Sequence, residues 1–117
     1  MAQVVILSDT FDQFGMPLMK KLGYPTLLCN TLEIDETGYI SRHLMRCEHS
    51  KLTTVKALQS IGYDTIAGGD SYNDLEMILH SKAGFLFRTT DKIKADYPQL
   101  PAFDSYDGLL GAIKAVL

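Results

Sequence analysis

Short runs of apolar residues along this chain alternate with segments in which apolar residues recur every three or four positions. The continuous runs, rich in valine, isoleucine, leucine and phenylalanine, predict buried strands, and the spaced segments predict helices that bury one face. The predicted strands are residues 4–7, 26–30, 32–34, 39–45, 65–68 and 83–87, and the predicted helices are 11–22, 51–61, 73–80 and 106–116. Alternating strands and helices predict an α/β fold around a parallel sheet.

Turn-forming residues separate these elements without marking a domain boundary. The segment 35–38, Asp-Glu-Thr-Gly, lies between two strand patterns and predicts a β-hairpin. Pro98 and Pro101 predict a loop, and Ser105 is the expected cap of the last helix. The sequence has no repeat, low-complexity tract or linker, so we expect one domain over residues 1–117.

A polar loop follows the predicted strand 65–68. Residues 68–74 read Gly-Gly-Asp-Ser-Tyr-Asn-Asp, and a helical pattern comes next. The two glycines permit a tight turn, because they tolerate unusual backbone angles. Asp70 and Asp74 then lie where the loop becomes a helix. Carboxylates at the carboxyl end of a buried strand suit Mg²⁺, which usually also contacts phosphate oxygens, so the loop predicts a magnesium and phosphate site.

The same loop also fits a purely structural role. Asp70 or Ser71 suits the N-cap of the following helix. Asp74 suits the first turn of that helix, where a negative charge is favourable. The local sequence leaves both interpretations open.

Two further polar elements precede this loop. Ser8, Asp9 and Thr10 follow the first predicted strand, and a hydroxyl beside the amides of a helix N-terminus is a natural phosphate contact. Simple capping of the helix is the alternative for these three residues. Lys51 begins the helix 51–61, and taken alone it fits an exposed surface charge.

Composition excludes several classes of protein. The net charge is −3 and no basic run is present, which argues against nucleic acid or an anionic membrane as partner. The apolar runs are too short to span a bilayer and the first residues lack a signal-peptide pattern, so we expect a cytoplasmic protein. Cys29 and Cys47 are expected to stay reduced, and with the nearby histidines they lack the spacing of a zinc site.

The order of these motifs resembles that of the haloacid dehalogenase superfamily. Ser-Asp-Thr after a strand, then a lysine, then Gly-Asp-Ser-Tyr-Asn-Asp resemble motifs two, three and four of its phosphotransferases. The segments VVILSDTFDQF, PLMKKLGYPTLLCNTLEID, AGGDSYNDLEM and YPQLPAFDSYDGL resemble the phosphoserine phosphatase group, in particular its bifunctional phosphoserine phosphatase/homoserine phosphotransferase branch. The resemblance implies a parallel three-layer Rossmann-like core. It also implies Mg²⁺-dependent phosphoryl transfer from a phosphoserine-like metabolite, as in serine biosynthesis.

The resemblance further implies a role for each motif residue. Lys51 and Asp74 would be catalytic, since Lys51 neutralises the transferring group and phosphoryl transfer depends mostly on positioning and charge neutralisation. Asp70 would bind Mg²⁺ directly, and Asp74 would hold the metal site from its edge. The implied phosphate-binding residues are Ser8, Asp9, Thr10, Lys51 and Asn73.

One motif of the superfamily is missing. The superfamily pattern begins with a strand that ends in Asp-x-Asp or Asp-x-Glu, whose first aspartate is the nucleophile, and a cap domain normally follows. This sequence contains neither, and Asp9 does not replace the motif because Phe11 stands where the second acid belongs. We therefore expect the carboxyl-terminal portion of a longer enzyme, inactive by itself.

Three interpretations follow from the missing strand, which in the superfamily lies between the strands of motifs two and four. The chain is a half-enzyme that needs an amino-terminal segment, a non-catalytic Mg²⁺- and phosphate-binding module, or a protein-interaction module. The strands ending at Ser8 and near Ala67 would pair directly or leave costly unpaired backbone groups. Such a seam favours a homodimer or a complementing amino-terminal segment as partner.

Overall fold

The computed structural model describes residues 2–117, which belong to two compact units. The first unit ends at Ser50 and the second comprises Lys51–Leu117. Each unit contains one three-stranded sheet. The expectation of one domain over residues 1–117 stays a prediction.

The first unit is built around a central strand. Its elements are β1 (Val5–Phe11), α1 (Asp12–Lys21), β2 (Thr26–Ile34) and β3 (Ile40–Leu44). The strand order is β1-β2-β3, with β1 parallel and β3 antiparallel to β2. The antiparallel pair confirms the predicted hairpin, and β2 is one long strand where the sequence pattern predicted two. Within the described residues β1 is an edge strand of this sheet.

The first strand does not end where the apolar run ends. Leu7 of β1 pairs with Leu28, but the next paired residue is Phe11, opposite Asn30. Four residue steps on β1 therefore match two on β2, and the segment Ser8–Thr10 forms a bulge between the paired positions. The predicted loop after residue 7 is thus a bulge within β1, since pairing resumes beyond it.

Helix α1 takes over the edge of β2 where β1 stops. The Gln13 Nε2 donates to the Leu32 carbonyl at 2.8 Å, and the Leu32 amide donates to Gln13 Oε1 at 3.1 Å. One side-chain amide thus satisfies both backbone groups of Leu32, which is 6% exposed. These two hydrogen bonds take the place of the ones that a neighbouring strand would otherwise make with Leu32.

The second unit has an all-parallel sheet. Its elements follow in the order α2 (Ser50–Ser60, beginning at the last residue of the first unit), β4 (Ile66–Gly69), a 3₁₀ turn (Tyr72–Asp74), α3 (Leu75–His80), β5 (Ala83–Phe87), α4 (Asp91–Asp96), β6 (Ala102–Phe103) and α5 (Tyr106–Val116). The strand order is β4-β5-β6, so β4 is an edge strand among the described residues. The buried apolar residues of this unit are Val55, Ala67, Leu75, Met77, Ile78, Phe85, Leu86 and Ile93.

Sequence patterns located the long elements of this unit and missed two short ones. The bounds of β5 and α5 are as predicted, and Ser105 caps α5 by accepting from the Gly108 amide. The strand β6 has two residues and the helix α4 has six, too few for a period to be read. Helix α3 begins at Leu75 because residues 72–74 form the 3₁₀ turn.

Gly84 lies where β5 passes α3 at close range. A Cβ built at Gly84 would stand 2.6 Å from the carbonyl oxygen of Ile78, which is backbone and cannot rotate away. We predict that Gly84→Ala destabilises the protein by about 1–3 kcal/mol through overpacking. Gly111→Ala is the control: nothing lies within 4 Å of its Cβ, and it sits inside helix α5.

Alanine at position 111 should leave stability unchanged or raise it by up to about 1 kcal/mol, because glycine is unfavourable in a helix. Urea unfolding of both variants checks the pair. Equal midpoints would show that the contact between Gly84 and Ile78 is not tight in solution.

Candidate functional site

The loop that follows β4 carries the polar residues of the second unit's sheet edge. Strand β4 ends at Gly69, Asp70 follows, and the 3₁₀ turn over Tyr72–Asp74 leads into α3. Asp70 is exposed, whereas Asp74 is 5% exposed although it carries a carboxylate. The two carboxylates that the sequence paired by spacing therefore lie in different environments.

Gly69 is required by space and not by backbone angle. Gly68 and Gly69 are absent from the glycines with positive φ, which are Gly23, Gly38 and Gly62. A Cβ at Gly69 would instead overlap the Cβ and carboxylate of Asp74. The expected role of the two glycines in an unusual turn is wrong, and Gly69 is small so that the Asp74 side chain can lie against the strand end.

The Asp74 carboxylate organises the loop through hydrogen bonds to one oxygen. Its Oδ2 accepts from the backbone amides of Asp70 at 2.9 Å and Ser71 at 3.1 Å, and from the Ser71 hydroxyl at 3.2 Å. The Ser71 hydroxyl also contacts Oδ1 of Asn73. The local capping role left open by the sequence is therefore present for Ser71 and Asp74.

The other oxygen of Asp74 binds the predicted lysine. Lys51 Nζ lies 2.5 Å from Asp74 Oδ1, and the two side chains are only 12% and 7% exposed. Burial alone would raise the pKa of Asp74, but the Lys51 hydrogen bond, the two amides and the lysine charge outweigh it, so this pKa lies below its ordinary value. Lys51 is thus half of a buried ion pair, where the local sequence alone fitted a surface charge.

Asp70 presents a different set of groups. Its backbone oxygen accepts from the Thr89 hydroxyl at 2.7 Å, which ties the loop to the turn after β5. Within residues 2–117 its carboxylate has no hydrogen bond or ion pair, so both of its oxygens remain available to a ligand. Asn73 is exposed beside it in the 3₁₀ turn.

The described residues fit a magnesium ion only in part. They contain no group of three or more histidine, cysteine, aspartate and glutamate side chains that could hold a metal. Both oxygens of Asp74 already have partners, which leaves Asp70 as the carboxylate that could reach an ion directly. Mg²⁺ is commonly held by one or two carboxylates together with waters and phosphate oxygens, so Asp70 could supply one ligand of such a set.

In the first unit, Ser8, Asp9 and Thr10 form the bulge of β1. The Ser8 hydroxyl accepts from the Thr10 amide at 3.2 Å, a local bond that favours this departure from strand geometry. Asp9 is exposed, and the Ser50 hydroxyl lies 3.4 Å from its Oδ1. The roles predicted for these three residues in phosphate binding stay predictions.

Asn30 holds this bulge, and sequence reasoning missed it. Asn30 is 2% exposed; its Nδ2 donates to the Asp9 carbonyl at 3.1 Å and its Oδ1 accepts from the Arg46 amide at 2.9 Å. Arg46 in turn donates to the Ser50 carbonyl at 3.1 Å. An asparagine that ends an apolar run was the available signal, since a buried amide needs partners.

Each unit, taken by itself, contains part of the groups that phosphate chemistry needs. The second unit has a buried ammonium group, an exposed carboxylate and a loop fixed by Asp74 at the carboxyl end of a parallel strand. The first unit has a hydroxyl-bearing bulge held by a buried asparagine.

Among residues 2–117 no helix is both long and apolar enough to cross a bilayer.

Comparisons with known proteins give consistent relatives. The chain is 46% identical over 107 residues to the phosphoserine phosphatase ThrH of Pseudomonas aeruginosa. The aligned region covers 92% of this chain and 52% of that protein. It is 47% identical over 107 residues to a phosphoserine phosphatase of Pseudomonas syringae pv. tomato, covering 92% of this chain and 45% of the relative. The chain thus spans about half the length of the curated relatives it matches.

Solved structures agree with these relatives. The protein matches a probable phosphoserine phosphatase from Vibrio cholerae with a TM-score of 0.73 and 25% identity, over 92% of this chain and 35% of that one. No family model matches the sequence. The structural match confirms the predicted α/β core with parallel strands, of which this chain has an incomplete set.

The buried ion pair makes a prediction about stability. Asp74→Asn keeps the shape of the side chain but leaves Lys51 buried without a counter-charge, so we expect a loss of about 3–5 kcal/mol. Replacing both partners, as in Lys51→Met with Asp74→Leu, should recover part of that loss because no charge is then buried. Lys82→Met is the control, since its pair with Asp64 is 56% and 78% exposed and should cost at most about 1 kcal/mol.

Urea unfolding of the four proteins measures these differences. Equal effects of Asp74→Asn and Lys82→Met would mean that the Lys51–Asp74 pair is not buried in solution.

The depressed pKa of Asp74 gives a pH dependence with a definite sign. Because the folded pKa lies below the unfolded value, the stabilisation is fully present above about pH 4 and is lost as the pH falls further through the folded pKa. We therefore expect unfolding free energy to fall on acidification below about pH 4. This part of the slope should be absent in Asp74→Asn, and an identical acid limb in both proteins would contradict the shift.

Proposed function

Because this chain resembles the carboxyl-terminal part of the phosphoserine phosphatases of the haloacid dehalogenase superfamily, we propose that it contributes the phosphate- and Mg²⁺-binding part of a phosphoryl-transfer site. The proposed reaction is Mg²⁺-dependent hydrolysis of a phosphoserine-like ester, with homoserine as an alternative phosphoryl acceptor. The substrate and the acceptor follow from the resemblance.

One observation carries this proposal: the buried pair of Lys51 and Asp74 at the carboxyl end of β4. Asp74 fixes the ammonium group in position and at the same time anchors the loop that carries Asp70. An ammonium held in a nearly dry environment interacts strongly with charge on phosphate oxygens, which is the main requirement of phosphoryl transfer. A surface lysine would not need such a counter-ion.

Within the proposal, each site residue has a defined task. Asp70 binds the magnesium ion through the carboxylate that has no partner among the described residues. Asp74 acts through Lys51 and through the loop amides, since both of its oxygens are engaged. Asn73 and the bulge residues Ser8, Asp9 and Thr10 contact phosphate oxygens. When bound, the metal neutralises charge on the phosphoryl group and aligns it.

We propose, by the resemblance, that the nucleophile comes from a segment outside these 117 residues. The sequence has no strand that ends in Asp-x-Asp or Asp-x-Glu. In the described residues β1 and β4 are each the edge strand of a parallel-strand pair, and an edge strand presents unpaired amides and carbonyls to an added strand. We propose that a nucleophile-bearing strand pairs with one of these edges, and that the chain alone has no turnover.

Asp70→Asn tests the metal assignment without requiring turnover. Mg²⁺ with O-phospho-L-serine should raise the melting temperature of the unchanged chain by a few degrees, as expected for a ligand that binds the folded state. The part of the shift that depends on Mg²⁺ should vanish in Asp70→Asn. It should persist in Asp64→Asn, which removes a carboxylate at the opposite end of the same strand.

An equal magnesium response in Asp70→Asn and Asp64→Asn would remove Asp70 from the metal site. A shift produced by the ester without Mg²⁺, and unaltered by the metal, would favour a phosphate-binding module.

Complementation tests the missing nucleophile. Co-expression with the amino-terminal half of the Pseudomonas aeruginosa relative should give Mg²⁺-dependent phosphoserine hydrolysis, while the 117-residue chain alone should give none. Lys51→Met should lower the restored rate by about 10²-fold or more, because a fixed charge in a dry site contributes that much. The restored activity is measured by a phosphate-release assay on the co-purified proteins, and Lys82→Met is the control variant.

Turnover by the chain alone would place a nucleophile within these residues, and Asp9→Asn is then the first variant to measure.

A further inference from the structure

A second cationic group lies at the carboxyl edge of the same parallel sheet, and none of the motifs includes it. Arg88 directly follows β5, the central strand of the second unit. Its neighbour Thr89 donates to the backbone oxygen of Asp70, so the turn after β5 is joined to the candidate loop after β4. Ligands of open α/β sheets bind at the carboxyl ends of the strands, where both turns lie.

The backbone holds Arg88 in an unfavourable conformation. Its φ is +50°, in the left-handed region that is unfavourable for a residue with a Cβ. The conformation is fixed by a bond from the Arg88 amide to the Phe103 carbonyl at 2.8 Å. Strain of this kind persists where the surrounding structure over-determines it, and it clusters at binding sites.

The Arg88 side chain is also held in place, by two neighbouring aromatic rings and by a hydrogen bond from one edge. The guanidinium carbon lies 5.0 Å from the ring centroid of Phe87 and 4.6 Å from that of Tyr106. Its Nε donates to the Asp104 carbonyl at 2.9 Å. The planar group is therefore oriented before any ligand arrives, which reduces the entropy that binding would cost.

The remaining edge of the guanidinium has no use in the fold. Its two terminal amino groups make no hydrogen bond or ion pair within residues 2–117, and Arg88 is exposed. The nearby carboxylate of Asp104 lies 3.8 Å from Lys94 Nζ, so its charge is partly offset by a different cation. Two parallel N–H groups on an oriented plane match a carboxylate or a phosphate.

We propose that Arg88 binds an oxyanion of the ligand beside the Asp70 loop, as a second anion-recognising residue of the second unit. The inference rests on the proposed function for the identity of the ligand, a phosphorylated amino acid. Such a molecule carries two oxyanions, the phosphate and the carboxylate, and either one fits the guanidinium edge.

Two esters, titrated in the presence of EDTA, show whether Arg88 contacts the phosphate or the carboxylate. O-Phospho-L-serine and O-phosphoethanolamine carry the same phosphate, but only the first has a carboxylate. We expect Arg88→Gln to raise the Kd for phosphoserine on the order of tenfold, the scale of a charge-assisted bidentate contact. If the contact is to the carboxylate, phosphoethanolamine is unaffected; if it is to the phosphate, both esters weaken equally.

Lys82→Gln is the matched control, since Lys82 precedes β5 and Arg88 follows it. It removes one positive charge from the same unit and should leave both Kd values unchanged. Arg88→Lys keeps the charge but loses the planar fork, so an intermediate, severalfold loss is expected. Melting temperatures of all variants show whether the fold is retained.

Equal Kd values for the unchanged chain, Arg88→Gln and Lys82→Gln would overturn the inference, and so would a chain that binds neither ester. The magnesium response of Asp70 is measured separately. If the magnesium response is absent but binding still depends on Arg88, the proposed function is contradicted and the inference about Arg88 is not.

Discussion

The carboxylate of Asp74 is the centre on which the second unit's polar edge depends. One oxygen binds Lys51 from the start of α2, and the other accepts the amides of Asp70 and Ser71 after β4. A helix, a strand end and a 3₁₀ turn thus meet at a single buried negative charge. The space for that charge exists because residue 69 has no side chain. A buried ion pair is weak evidence for stability as such, because the cost of removing both charges from water offsets much of their attraction.

Fixing Asp74 in this way separates the roles of the two acidic residues of the loop. Both carboxylate oxygens of Asp74 have partners within the fold, and the lowered pKa of this group keeps it ionised near neutral pH. Asp70, four residues earlier, keeps its carboxylate exposed while its backbone is held at both sides, by Asp74 and by Thr89. A rigid backbone with an available carboxylate is what a metal site needs, because the ligand group is then placed before binding.

Each unit also has a polar segment in or directly after a strand of a parallel pair, and a buried polar side chain holds that segment. In the second unit the holding group is Asp74, and in the first it is Asn30, which ties the Asp9 carbonyl to the Arg46 amide. Strand edges remain in both units, at β1 and at β4. Unpaired edges are costly to leave unprotected, and the relatives that match this chain are about twice its length.

The sequence by itself determined the class of fold and the positions of its long elements. Continuous apolar runs and 3.6-residue spacings located β5, α5 and the hairpin, because strands and helices impose periods that local composition records. The order of the polar motifs also indicated the relatives found by comparison. Short elements such as β6 and α4 carry too few residues for a period, and they were missed.

Only the tertiary structure decided what the individual polar residues do. Lys51 and Asp74 are 23 positions apart, and no local pattern shows that they share a buried contact. Asn30 and Arg88 likewise take their roles from partners 16 to 21 positions away. Gly69 is required because any Cβ at that position would overlap the side chain of Asp74. Burial, pairing and strain arise when distant segments pack together, which is why sequence spacing predicted the site's chemistry but not which of its charges are occupied.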